Sequence, residues 1–248
     1  MKPRIYIIVA ISAITVLFAF VLLTNVSGFN KEVKEILKTE TKFDTKKSIF
    51  LNSESNTESF EGIIELMEKQ SFDTVSFRLT IKKNIVRLDK QLINGQPDES
   101  IIFDLEKESI TALHHNKKMY CNIPVAVYNK NISSDYQIIK TNTTKIISGF
   151  TCSQWRVKNS VKNTEITFWV TGKKFDFYQK FIQLWNKTDN CYQYFLTIPE
   201  ANGYLPIQQI ERTLLRDIKY SIIVNKIVEK RIDNSQFDIP KTYTLYSN

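Results

Sequence analysis

Thr74-Val-Ser-Phe-Arg-Leu-Thr-Ile-Lys82 alternates apolar and polar residues without a break. Successive side chains of a strand point to opposite faces. Val75, Phe77, Leu79 and Ile81 therefore share one face, and Thr74, Ser76, Arg78, Thr80 and Lys82 share the other. The pattern predicts a strand with one buried and one wet face. Similar runs follow at 85–92, 100–105, 110–113, 118–123, 145–157, 164–170 and 192–198, and from Phe60 onward the dominant period is two. Turn signals separate several of them, at 94–97, 115–117 and 160–163. Short strands joined by short turns imply an antiparallel meander.

One segment breaks the period. Over 175–187, Tyr178, Phe181, Ile182 and Trp185 fall at i, i+3, i+4 and i+7, which predicts an amphipathic helix whose apolar face covers something. The stretch 213–233 fits both periods, and its β-branched residues (Ile222, Ile223, Val224, Ile227, Val228) tip it to strand. The expected class is α+β, mainly β, with one main helix packed on the sheet.

Upstream of the strands the character changes. Residues 5–23 carry no charge, Pro or Gly, and Lys2 and Arg4 precede them. At ~1.5 Å per residue such a run spans ~28 Å, close to the hydrocarbon thickness of a bilayer. Leading positive charge keeps the N-terminus in the cytoplasm and delivers the rest outside it. Two readings stay open. Residues 1–28 are a cleavable signal peptide, with Val26 and Gly28 at the small-residue positions of a cleavage site, or a single-span membrane anchor. The expected location is extracytoplasmic (periplasm or cell envelope), either secreted or anchored. Residues 29–57 read as a short helix (31–40) and a polar tether, and 58–248 as the domain.

Charge is unevenly placed. Residues 29–110 hold 13 Lys or Arg against 16 Asp or Glu, whereas 111–248 hold 19 against 10. Such a balance fits an anionic partner such as lipid head groups, or ordinary solvated strand faces. Export and the scatter of Lys158, Lys162, Arg212, Arg216 and Lys219 argue against nucleic acid. The three cysteines, Cys121, Cys152 and Cys191, allow at most one internal disulfide. Cys121 alternates with Met119 and Ile123, which predicts a buried, unreactive thiol.

Little chemistry is on offer. His114 and His115 are the two histidines, adjacent in a predicted hairpin turn and expected to be exposed. No G-x-S-x-G, H-E-x-x-H or P-loop pattern occurs, and no C-x-x-C supports zinc. Neither catalysis, nor a metal, nor a cofactor is expected. The aromatics are more suggestive: 16 Phe, 11 Tyr and 3 Trp. In a sheet that curves without a partner sheet, inward side chains either line a cavity or fill a core. The inward candidates are Phe77, Leu79, Ile81, Val86, Leu88, Phe103, Ile166, Phe168 and Val170.

Two segments are familiar in combination. Phe77-Arg-Leu-Thr-Ile-Lys-Lys-Asn-Ile-Val-Arg-Leu-Asp89, then Ile101-Ile-Phe-Asp-Leu105 and Lys117-Lys-Met-Tyr120, resembles the early hairpins of certain uncharacterised exported bacterial proteins. Ile147-Ser-Gly-Phe-Thr-Cys-Ser-Gln-Trp-Arg-Val157, answered by Glu165-Ile-Thr-Phe-Trp-Val170, resembles their most distinctive part, and Leu205-Pro-Ile207 with Phe237-Asp-Ile-Pro240 resembles their close. These families are similar to the lipoprotein-carrier (LolA/LolB-like) superfamily. The resemblance implies a curved, unclosed antiparallel half-barrel, covered by one or a few helices around an apolar cavity. It implies a non-enzymatic domain that binds a lipid or another acyl-bearing hydrophobic ligand in that cavity. A membrane-tethered interaction or sensor domain, whose protein partner is unknown, is the rival, followed by a hydrolase with an unrecognised site.

Overall fold

The computed structural model describes residues 59–70, 73–91, 97–126, 136–189 and 193–246. The apolar run, the predicted helix at 31–40, the polar tether and Cys191 lie outside them. Among the described residues, no helix is long and apolar enough to cross a membrane.

Eleven antiparallel strands and one short parallel strand form a single open sheet. In chain order they are β1 (Glu61–Gln70), β2 (Thr74–Lys82), β3 (Ile85–Gln91), β4 (Pro97–Asp104), β5 (Ser109–His114), β6 (Met119–Ile123), β7 (Tyr136–Ile147), β8 (Phe150–Asn159), β9 (Thr164–Lys174), β10 (Tyr204–Thr213), β11 (Ile218–Glu229) and β12 (Thr244–Leu245). Spatial order runs β12-β6-β5-β4-β3-β2-β1-β11-β10-β9-β8-β7. The sheet is thus two meanders, β1–β6 and β7–β11, joined where β1 pairs β11. That seam is tight. A Cβ on Gly62 would stand 2.1 Å from the Val228 carbonyl oxygen, so only glycine lets β1 and β11 approach as they do.

The chain leaves the sheet between β9 and β10, which are neighbours, and crosses one face as α1 (Asp176–Asp189) and the short α2 (Gln193–Leu196). Asp176 sits in the first turn of α1, where the helix dipole favours an anion, and its carboxylate accepts the Phe60 amide at 3.1 Å. The apolar stripe read from the sequence is the buried one: Tyr178, Phe181 and Ile182 lie in the core, with Phe181 fully buried.

Ring contacts show that the sheet curls around this helix. Phe103 on β4 meets Phe181 at 5.0 Å, Phe181 meets Tyr178 at 6.5 Å, Tyr178 meets Phe195 at 6.1 Å, and Phe195 meets Phe168 on β9 at 5.0 Å. Strands β4 and β9 are six strand spacings apart, which on a flat sheet would be ~29 Å. The ring path is shorter than that, so the face bearing Phe103 and Phe168 is concave. The sheet remains unclosed, with β12 and β7 at its edges.

Three expectations need correction. The run at 145–157 is two strands: Ser148 and Gly149, at φ of 50° and 83°, form the hairpin between β7 and β8. Positive φ at both central residues is what a tight hairpin with the sheet's own twist requires. The run at 192–198 is helical where described, as α2 and the turn after it. Tyr194, Phe195, Leu196 and Ile198 offer apolar groups at both periods, and burial of Phe195 against Phe168 selects the helix. Third, the polar face of β2 is not simply wet, because Thr80 is buried there.

A candidate binding face and a buried polar cluster

Strand alternation delivers the predicted cavity residues to the concave face. Leu79 and Ile81 on β2, Val86 and Leu88 on β3, Phe103 on β4, and Ile166, Phe168 and Val170 on β9 are all buried in one cluster with Phe177, Phe181 and Phe195. Phe77, nearer the start of β2, is half-buried and packs against the cluster edge. The register shows why they converge: Leu79 faces Leu88, and Leu88 faces Ile101 in turn. In this state the rings of α1 and α2 occupy the concavity.

Beside α1 the face opens. A cleft of about 550 Å³ lies between the β4–β5 turn and the helix. Leu105 and Leu184, both core residues, line it with Glu106, Glu108, Lys180 and Lys187. Lys187 pairs with Glu108 at 2.6 Å across its mouth. The arrangement is amphipathic: ionic groups line the same space as the margin of the apolar core.

A polar cluster sits on the opposite, convex face. Arg87, Asp89 and Ser100 project there from β3 and β4, and His115 follows β5. Residues 230–246 cover them. The Lys82 ammonium donates to the Ile232 carbonyl at 2.5 Å, Arg87 donates to the Gln236 carbonyl at 2.8 Å, and Ile232 is buried. Under this strap the Arg87 Nε meets Asp89 Oδ1 at 2.7 Å. Ser100 Oγ lies 2.5 Å from Asp89 Oδ1 and 2.6 Å from His115 Nε2, and His115 Nδ1 lies 2.7 Å from the Tyr243 hydroxyl. Burial and the nearby Arg87 guanidinium hold the His115 pKa below its ordinary 6.5.

Proton accounting assigns the roles. A carboxylate only accepts, so the single Ser100 hydroxyl proton goes to Asp89. His115 Nε2–H must then donate to Ser100 Oγ, and its bare Nδ1 accepts from Tyr243. A nucleophilic triad needs the reverse, an imidazole that takes the serine proton. Ser100 is also fully buried. The cluster pins the strap to the sheet.

The sequence reading missed this site and placed both histidines in solvent. Both are half-buried instead, and the His114 Nδ1 is buried without a hydrogen-bond partner among the described residues. Period two does set Arg87 and Asp89 on one face, but the register that brings Ser100 opposite Asp89 is not written locally. Cys121 is also half-exposed rather than buried, with its thiol pKa pushed up by partial burial. Of the two described cysteines Cys152 is the buried one, its thiol raised to about 11, and both are free.

Residues 60–243 match the model of one protein family, described as a domain of unknown function (DUF4412). The chain belongs to that family. No curated protein matches it in sequence. Solved structures that it resembles include an uncharacterized conserved protein from Thermus thermophilus, at 6% identity and a TM-score of 0.48, covering 76% of this chain and 90% of that one. The MucA/MucB complex of Pseudomonas aeruginosa matches at 9% identity and 0.47, over 74% of this chain and 56% of that one. A putative outer membrane lipoprotein-sorting protein domain from Vibrio parahaemolyticus matches at 7% identity and 0.22, over 71% and 88%.

Proposed function

We propose that this DUF4412 domain is a non-enzymatic binding domain of the cell envelope, held there or exported by residues 1–28, whose ligand is an amphiphile with an acyl chain. The cleft beside α1 carries the reading, because ionic groups there adjoin Leu105 and Leu184 of the core. The head group would sit among Glu106, Glu108, Lys180 and Lys187, and the chain would enter along the concave face by exchanging with helix rings.

Magnitudes set the chain length. Displacing the rings of Phe181, Trp185 and Phe195 costs ~5–9 kcal/mol at ~1.5–3 kcal/mol each. A buried methylene returns ~0.8 kcal/mol, so a chain of about a dozen carbons or more is needed. Short-chain amphiphiles should not bind.

Native mass spectrometry of the full chain tests this. A retained acyl species after detergent exchange, lost in Leu184→Trp while the fold persists, is the expected result. Equal lipid in both proteins would reflect residues 1–28 alone and defeat the reading. A second reading, a protein-interaction domain, is favoured by β7, a twelve-residue edge strand with Ile138 and Ile146 exposed. No retained acyl species in either protein would favour it.

A further inference from the structure

At the end of the sheet away from Phe60, the β8–β9 turn (160–163) and the β10–β11 turn (214–217) stand side by side. The pair Thr213–Thr164 carries the strand ladder up to the turns, and the Leu214 amide donates to Asn163 Oδ1 at 3.2 Å. Three aliphatic side chains on this laced pair are in solvent: Val161 is 79% exposed, Leu215 83% and Ile218 58%. A single exposed hydrophobe is ordinary, but three together at one sheet end call for an occupant.

The surrounding charge selects the occupant. Residues 158–165 and 211–219 carry five basic side chains (Lys158, Lys162, Arg212, Arg216 and Lys219) against Glu165, Glu211 and Asp217. Arg216 pairs with Glu165 at 3.5 Å yet stays 70% exposed, and Lys219 pairs with Glu211 at 3.2 Å. Lys162 lies over the Tyr194 ring at 5.9 Å. Exposed aliphatic tips ringed by cations suit an apolar phase beneath an anionic layer.

We propose that these two turns form a membrane-contact tip. It seats Val161, Leu215 and Ile218 at the boundary between head groups and acyl chains of an anionic bilayer, with Lys158, Lys162 and Arg212 level with lipid phosphates. Each basic residue near such a surface strengthens binding about five-fold, an effect that salt weakens. The tip is independent of the concave face, since none of its residues lines the cleft beside α1.

Amide hydrogen exchange on the full chain, reconstituted into phosphatidylcholine vesicles with and without phosphatidylglycerol, tests the proposal locally. Exchange at 160–163 and 213–218 should slow on the phosphatidylglycerol vesicles only. The double variant Val161→Ser/Leu215→Ser should lose that protection with unchanged thermal stability, because both side chains are already in water. Lys162→Glu/Arg212→Glu should lose it too, and high salt should weaken it in the unmodified chain. Equal exchange on both vesicles, or protection that survives the double-serine variant, would overturn the proposal.

Discussion

The two faces of this sheet are closed by different means. Over the concave face, α1 and α2 lay aromatic rings on aliphatic strand residues, and the ring contacts are edge-on or tilted. Over the convex face, residues 230–246 form a strap with little regular structure, held by backbone carbonyls that accept from Lys82 and Arg87 and by the chain Asp89–Ser100–His115–Tyr243. Apolar packing is non-directional and tolerates rearrangement, while hydrogen bonds fix one geometry and are costly to leave unmade. The concave cover is therefore the one free to rearrange, and the convex strap is the one fixed in a single geometry.

Substitutions sharpen that contrast. The largest effect should come from Phe181→Asp, which places a charge without a partner at the centre of the concave core. A loss of ~4 kcal/mol or more is expected, as read by denaturant titration. A Phe181→Asp protein with an unchanged midpoint would mean that α1 already leaves the face. At the seam between the two meanders, Gly62→Ala should destabilise by ~2–4 kcal/mol, since the Val228 carbonyl must move to admit the methyl group.

On the convex face, Leu113 is buried in the row that continues Asp89 and Ser100 across to β5. Leu113→Ala should cost ~2–3 kcal/mol, less than truncating Phe103 on the concave side at ~3–5 kcal/mol. A larger effect from Leu113 would reverse the ranking of the two faces. Ser100→Ala should cost ~1–3 kcal/mol by leaving the His115 N–H and the Asp89 carboxylate short of a partner, and its strap should become sensitive to limited proteolysis.

The smallest effect is one of pH. The folded state keeps His115 neutral below the pH at which the unfolded chain would charge it. Where the unfolded state binds more protons, stability rises with pH. The His115 contribution is therefore full above the unfolded value of 6.5 and declines as pH falls below it toward the depressed folded value. His115→Gln should flatten the stability profile in that window, measured by denaturation across pH. A profile equally steep in the variant would place the proton elsewhere.

How much of this was legible beforehand depends on the residue. Thr74–Lys82 and the Tyr178–Trp185 stripe announce a strand and a helix, because hydrophobic period alone decides which side chains can share a face. The same periods set eight of the nine concave candidates in the core and Phe77 at its margin. Residues 192–198 were apolar at both periods, so only contact with Phe168 could choose helix for Gln193–Leu196. The 145–157 run hid a hairpin although Ser148-Gly149 is itself a turn dipeptide, because Ile146, Ile147 and Phe150 flank it without a polar break.

What the sequence determined by itself is the local alternation, the one helix, and therefore an antiparallel, mainly β fold with an apolar face. What the tertiary structure decided is which strands meet, and with them everything that depends on distant pairs: the β1–β11 seam, the closing of the concavity by α1, the joining of Ser100 to the C-terminal strap through His115 and Tyr243, and the lacing of two exposed turns. Period-two side-chain geometry is a property of neighbours along the chain, whereas pairing across a sheet is settled by the burial and hydrogen bonding of residues a hundred or more positions apart, such as Phe60 with Asp176 and His115 with Tyr243.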